Sequence, residues 1–460
     1  MGAGPLSRES PSDGDLRAQA ASIFMAGVER ADPLRLIERC LSLDGERLIV
    51  RSGTVEKSWY LSAYRRILLV GFGKASARMA LGIERLLGNR ITSGLVVTKS
   101  GQLEMLSRVR LLEAAHPVPD ERSEEAARLM LELAEGAGKD CLVLNCVSGG
   151  GSALLCAPAF GLGLDEKREL CSLLLASGAP IGDVNCVRKH LSLVKGGRLA
   201  RAFHPAEVVN LILSDVMGDD LATIASGPTV PDPTTWAEAF AILERYALLD
   251  KLSSSLRRVF EEGAAGRLPE TPKPGDPSFA SSSNILIGSN YLSLLAAREK
   301  AESLGFAPLI LSTRLEAESR ELGRVFEDIA ADIRARSLPL APPACVIAGG
   351  ESTVTLRGRG KGGRNQEMAL SFLDAAMDAS LDLSGIAFLS GATDGSDGPT
   401  DAAGGLIDRS TLEACSAAGL DAKAALAENG SYFFLKAAGA LFSTGPTNTN
   451  VCDIQVVLVR

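Results

Sequence analysis

Residues 141–157, CLVLNCVSGGGSALLCA, decide the fold. The first seven are a nearly unbroken apolar run, the pattern of a strand buried on both faces. Ser148-Gly149-Gly150-Gly151-Ser152 follows at once, and residues 153–157 can begin a helix. Three successive glycines let the backbone turn sharply and approach a ligand with no Cβ in the way. Backbone N–H groups in such a loop, backed by a helix N-terminus, form an anion site. The plain alternative is a tight turn with no ligand, and loops elsewhere in the chain bear on that choice.

Working outward, short apolar runs recur at 66–70, 92–98, 108–114 and 207–213, alternating with helical stretches at 75–87, 121–134, 165–176 and 183–203. Repeated strand–loop–helix alternation predicts a mostly parallel sheet covered by helices on both faces. Ligands of such sheets sit at the carboxyl ends of the strands, where these loops lie. Two helices, 16–31 and 33–41, come before the first of these strands, with Asp32 as N-cap and Pro33 in the first turn. Residues 268–283 are Pro/Ser-rich and read as a linker or surface excursion. A second alternating series starts at Asn284, with strands at 285–287, 307–311, 344–348, 386–389 and 453–459. The expected architecture is α/β in two domains. A larger Rossmann-like N-terminal domain with a parallel sheet spans 16–270, a smaller α/β C-terminal domain spans 284–460, and 1–15 is a disordered leader.

Composition narrows the function classes. A chain of 460 residues exceeds one typical core. The charge balance, 48 − 56 = −8, and the absence of a Lys/Arg-rich tract argue against nucleic acid as a partner. No apolar run is long enough to span a membrane, and the N-terminus lacks a signal-peptide core. The nine cysteines are scattered with no CxxC pair, which points to reduced core thiols in a soluble, cytoplasmic protein.

Several loops carry chemistry. Gly71-x-Gly73-x-x-Ser76 is one residue off a dinucleotide fingerprint. The next strand ends in Thr98-Lys99-Ser100-Gly101, without the acidic residue that a ribose needs. Lys74 beside a helix N-terminus instead suits a carboxylate or phosphate. Asp215, Asp219 and Asp220 follow one buried strand, and Asp394, Asp397 and Asp401 follow another. Mg²⁺ takes one or two carboxylates with phosphates and water, so a metal–phosphate site is the better reading than isolated turn residues or a dicarboxylate base pair. Arg364 falls in the first turn of a helix, where the dipole disfavours a cation, so an anionic ligand would explain it. Arg188, Lys189, Lys195 and Arg198 read first as a solvated charge run, with Lys195 kept as a cofactor-binding candidate. The three histidines read as structural, although His116 lies near the ligand loops. No serine sits in a GxSxG elbow.

Long motifs then carry a resemblance. VGFGKASARMA (70–80), HPVPD (116–120), SGGGSALL (148–155), NCVRKHLSLVKGGRLA (185–200), SDVMGDDLATIASGPTVPD (214–232), GGEST (349–353), GKGGRNQE (360–367), GATDGSDGPTDAAGG (391–405) and TGPTNTNVCDI (444–454) resemble the two-domain glycerate 2-kinases whose C-terminal part is the MOFRL domain. The resemblance runs from about residue 16 to the C-terminus. It implies ATP-dependent phosphorylation of D-glycerate at its 2-hydroxyl with Mg²⁺, in a cleft between two α/β domains, by a monomer or homodimer. It makes Lys74 and Arg364 active-site cations, and Asp215 or Asp219 the acidic residue of the SDVxGD motif. Residues 148–152 become the phosphate cradle. From the two aspartate clusters, Asp219, Asp394 and Asp397 are the candidate metal ligands. Some members carry the label hydroxypyruvate reductase, an NAD(P)-dependent alternative that the missing ribose acid disfavours. A non-catalytic nucleotide or metabolite sensor is the third reading.

Overall fold

The computed structural model describes residues 13–460. The expected leader therefore lies outside the described residues, except that 13–15 already belong to the helix Asp13–Arg30. The chain divides into two compact units, 32–289 and the remainder.

In the first unit the helix Pro33–Cys40 leads into a three-stranded antiparallel meander: β1 (Leu41–Asp44), β2 (Arg47–Ser52) and β3 (Val55–Tyr60). Its sheet is formed by β4 (Arg66–Phe72), β5 (Ser93–Lys99), β6 (Arg110–Ala114), β7 (Cys141–Val147), β8 (Glu207–Leu213) and β9 (Ser282–Gly288). The order is β6-β5-β4-β7-β8-β9 and every pairing is parallel. All seven residues of β7 are buried, because helices cover both sides of a sheet wound this way. Asp32 accepts from the Arg35 N–H at 2.9 Å, as its position before a helical stretch predicts, and Asp120 closes a capping box with Ser123.

The second unit holds β10 (Ala307–Leu315), β11 (Ala344–Gly350), β12 (Ile386–Ala392), β13 (Gly404–Asp408), β14 (Leu441–Phe442) and β15 (Asp453–Val459). Their order is β10-β11-β15-β12-β13-β14. Only β10 and β11 run parallel; the last strand enters between β11 and β12, antiparallel to both. Alternate residues of β15 serve two cores: Val457 and Val459 face one, Ile454, Val456 and Leu458 the other. The second of these is closed by the N-terminal helix, whose Leu16, Ala20, Ile23, Phe24 and Val28 are buried in it.

Two boundaries thus differ from expectation. The first helix belongs with the C-terminal residues, since its apolar side completes the core on β15. The strand expected to open the C-terminal domain is β9, which pairs with β8, so the division falls at 289/290. The expected single helix 183–203 is two, Ile181–His190 and Arg198–Phe203, parted where Gly196 and Gly197 adopt φ of 55° and 80°.

Candidate active site

In the first unit the loops after β4 and β7 are zipped together. Lys74 N–H donates to Gly149 O at 2.9 Å, Ala75 N–H to Ser148 Oγ at 3.0 Å, and Ser148 N–H to Phe72 O at 3.2 Å. Gly73 has φ 129°, and a Cβ there would fall 2.2 Å from Ser148 Oγ, so no other residue permits this junction. At Gly150, with φ 80°, a Cβ would lie 2.8 Å from the His116 ring and 3.3 Å from Lys74 Cε. At Gly149 it would lie 1.9 Å from Asp215 Oδ2. The strand order β4-β7-β8 therefore gathers Lys74, the triple glycine and Asp215 at adjacent carboxyl ends, with His116 from the loop after β6.

Two features mark this point as a place for an anion. The N–H groups of Gly149 and Gly150 donate to no acceptor among the described residues, although both residues are only partly exposed. The Lys74 ammonium likewise has no carboxylate partner among them. Unclaimed donors beside an unpaired cation are what a phosphate or carboxylate needs. The helix expected behind the loop is one turn only, Gly151–Leu154, so its dipole adds little.

His116 is half-buried. Desolvation, followed by the charges of Lys74 and Lys99, lowers its pKa to about 4, so the imidazole is neutral at physiological pH. Lys195 is buried, with Nζ donating to the carbonyls of Ser152 at 2.7 Å and Leu155 at 3.1 Å. It holds the end of the glycine loop in place and is not part of a solvated charge run. Asp219 has φ 57°, and burial pushes its carboxyl up against hydrogen bonds from Ser214 and Ser289. Next to Gly151, Ala225 and Ser226 adopt φ of 50° and 62°. Ser226 Oγ shares a hydrogen bond with Ser152 Oγ at 2.8 Å and donates to Asn185 at 3.0 Å. Left-handed non-glycine residues cluster at functional sites. Sequence reasoning missed Ala225, Ser226 and Asn185; the -Ser226-Gly227-Pro228- turn signal was the one clue.

In the second unit the expectations change more. Arg364 does stand in the first turn of the helix Arg364–Asp378. Its fork is met by Asp453, Nε to Oδ2 at 2.5 Å and Nη2 to Oδ1 at 2.8 Å, with Glu351 at 3.2 Å from Nη1. A fully buried carboxylate thus compensates the cation within the protein. The two oxygens of Asp397 accept from the N–H groups of Asn365 (3.2 Å) and Gln366 (2.8 Å) and cap that helix. Asp394 makes an Asx turn with Ser396 N–H at 3.0 Å, and Asp401 accepts from Tyr432 at 2.7 Å. Three acids close in sequence do three separate jobs, and no trio of His, Cys, Asp or Glu among the described residues is arranged to hold a metal ion.

Loops of this kind at the carboxyl ends of a parallel sheet are those of an α/β enzyme. Residues 19–261 match the family described as a domain of unknown function, DUF4147, and residues 344–453 match the MOFRL family. A glycerate 2-kinase of Pyrococcus horikoshii is 40% identical over 446 residues, 97% of this chain and 98% of that one. A crystal structure of glycerate kinase from Thermotoga maritima superposes with a TM-score of 0.86 at 39% identity, covering 97% of this chain and 100% of that one. A chain of Agrobacterium vitis with a provisional hydroxypyruvate reductase name is 46% identical over 396 residues, 86% of this chain and 87% of its own. The chain belongs to the two-domain MOFRL family of glycerate 2-kinases.

Proposed function

We infer that the chain is a glycerate 2-kinase: it transfers the γ-phosphoryl group of ATP to the 2-hydroxyl of D-glycerate, giving 2-phosphoglycerate and ADP. Full-length kinship to glycerate kinases supports the activity. One observation supports its location: Lys74, which has no salt bridge among the described residues, the Gly149 and Gly150 N–H groups, which have no acceptor among them, and the Asp215 carboxylate meet at the ends of β4, β7 and β8. The reductase alternative gains nothing, because β5 ends at Lys99 with no acid for a ribose.

The loop N–H groups hold phosphate oxygens, and Lys74 offsets the charge on the transferring group. Asp215 orients the acceptor hydroxyl and takes its proton as the new P–O bond forms and the bond to the ADP oxygen breaks. Neutral His116 offers the substrate a hydrogen bond without adding charge. Mg²⁺, which neutralises phosphate charge in such transfers, fits Asp215 or Asp219 only as a minority ligand set, since phosphates supply most of its oxygens. Asp394 keeps one oxygen outside its turn bond, and Asp397 has none to spare. Arg364 is read mainly as a structural cation. Nine free cysteines suit a reducing, cytoplasmic setting, and no helix among the described residues is long and apolar enough to cross a membrane.

Purified protein with ATP, Mg²⁺ and D-glycerate should form 2-phosphoglycerate, identified against the 3-phospho isomer by NMR. Formation of 3-phosphoglycerate, or NADH oxidation with hydroxypyruvate and no phosphoryl transfer, would overturn the reading.

A further inference from the structure

A cavity of about 300 Å³ opens beside the glycine loop, with His116, Gly150 and Ser152 in its wall. Lys167, Arg188 and Lys195 also line it. Lys195 and Lys167 are 2% and 4% exposed, and both ammonium groups donate to carbonyl oxygens, Lys167 to Leu191 O at 3.3 Å. Arg188 Nε points at the Cys171 sulfur, 3.3 Å away. None of the three has a carboxylate partner among the described residues; the neighbouring Arg168 has two, Asp165 and Glu121. Carbonyls satisfy the N–H groups but do not cancel the charge.

Burying cations without counter-charge is costly, and an anion from outside removes that cost. The number of cations bears on which anion. A three-carbon hydroxy acid brings one negative charge and would leave at least one of Arg188 and Lys167 uncompensated. The volume is at the lower end of sites for whole small-molecule ligands, more than such an acid fills. Pro117, Val118, Ala153 and Leu175 give the same cavity an apolar wall.

We propose that this cavity takes the donor nucleotide, with its phosphate chain on Arg188, Lys167 and Lys195 and its base against the apolar wall. The inference rests on the kinase reading and adds Arg188 and Lys167 as donor-binding residues. Burial, then Lys167, lowers the Lys195 pKa to about 7. An arriving polyanion raises it again, so nucleotide binding at pH 8 takes up a proton. The other groups facing Lys195 are Arg188, Cys156 and Cys171, and His116 titrates far below this range.

The test is calorimetric titration of ADP and of tripolyphosphate into the wild type, Arg188→Gln and Leu175→Trp, with steady-state KM values for ATP and D-glycerate. Leu175 is 58% exposed at the cavity wall, so its variant keeps the test alive if Arg188→Gln misfolds. Arg188→Gln is expected to weaken both ligands at least tenfold and raise the KM for ATP, with the KM for D-glycerate within twofold. Leu175→Trp should weaken ADP more than tripolyphosphate. Heats measured in buffers of different ionisation enthalpy should show proton uptake approaching one per ADP at pH 8. Wild-type ADP affinity in both variants overturns the proposal, as does a rise in the KM for D-glycerate alone, which would give the cavity to the acceptor. A wild type that binds ADP but transfers nothing overturns the kinase reading instead.

Discussion

The Asp215 carboxylate lies directly on the Cα of Gly149: a single methyl group built there would sit 1.9 Å from Oδ2. The loop and the acid can therefore occupy their places only while residue 149 is glycine. Gly149→Ala should displace Asp215 and lower kcat/KM for D-glycerate at least tenfold, with a smaller effect on Tm. Unchanged kcat/KM would remove Asp215 from the reaction.

Lys74 has no ion-pair partner among the described residues to lose. Lys74→Ala is expected to leave Tm within a degree or two while kcat falls tenfold or more, since a charge-assisted hydrogen bond contributes about 1.5–3 kcal/mol. A change confined to KM would assign Lys74 to ground-state binding.

Arg364→Ala should behave in the opposite way. It strands Asp453, which is fully buried, and breaking one side of a buried pair costs about 3–5 kcal/mol. Tm should fall by several degrees, and Asp453→Asn in the same chain should recover part of the loss. An Arg364→Ala protein that melts like the wild type but is inactive would restore a ligand-binding role.

His116 makes a pH signature. Its folded pKa, about 4, lies below the ordinary 6.5, so between these values the unfolded chain binds the proton and the folded one does not. That contribution is fully present above pH 6.5 and fades as pH falls towards 4. Denaturant unfolding at pH 7.5 and pH 5 should show His116→Gln losing less stability on acidification than the wild type. Equal losses would mean that the imidazole is solvated.

EDTA should stop phosphoryl transfer and Mg²⁺ restore it, with no shift in Tm, because no three-acid cage among the described residues holds a structural ion. A large fall of Tm in EDTA would contradict this.

Sequence pattern revealed much of the first sheet, because β4, β7 and β8 are continuous apolar runs ending in glycine or serine loops. It also brought out Lys74 and the triple glycine, whose neighbours in space are loops of the same kind. The meander β1–β3 had its own signals, overlooked at Gly45 and Gly53, whose φ of 59° and 55° belong to tight hairpin turns. The ion pair of Arg364 is hidden for another reason. Its partner Asp453 lies 89 residues away on the last strand, and no local spacing announces a pairing made by sheet order. The separate hydrogen bonds of Asp394, Asp397 and Asp401 are likewise invisible in sequence, because proximity along the chain says nothing about where each carboxylate points.

The placement of the helix Asp13–Arg30 has a consequence during synthesis. Among the described elements this helix is made before any other, yet the core that receives Phe24 and Val28 is completed by β15, which follows all the other described strands. Residues 32–289 can fold in the interval, while the helix waits with its apolar side uncovered until β15 is made. Expressed alone, 32–289 should be a workable fragment. Residues 290–460 should aggregate unless the 13–31 peptide is supplied in trans, which makes this protein a natural candidate for splitting at its own first loop.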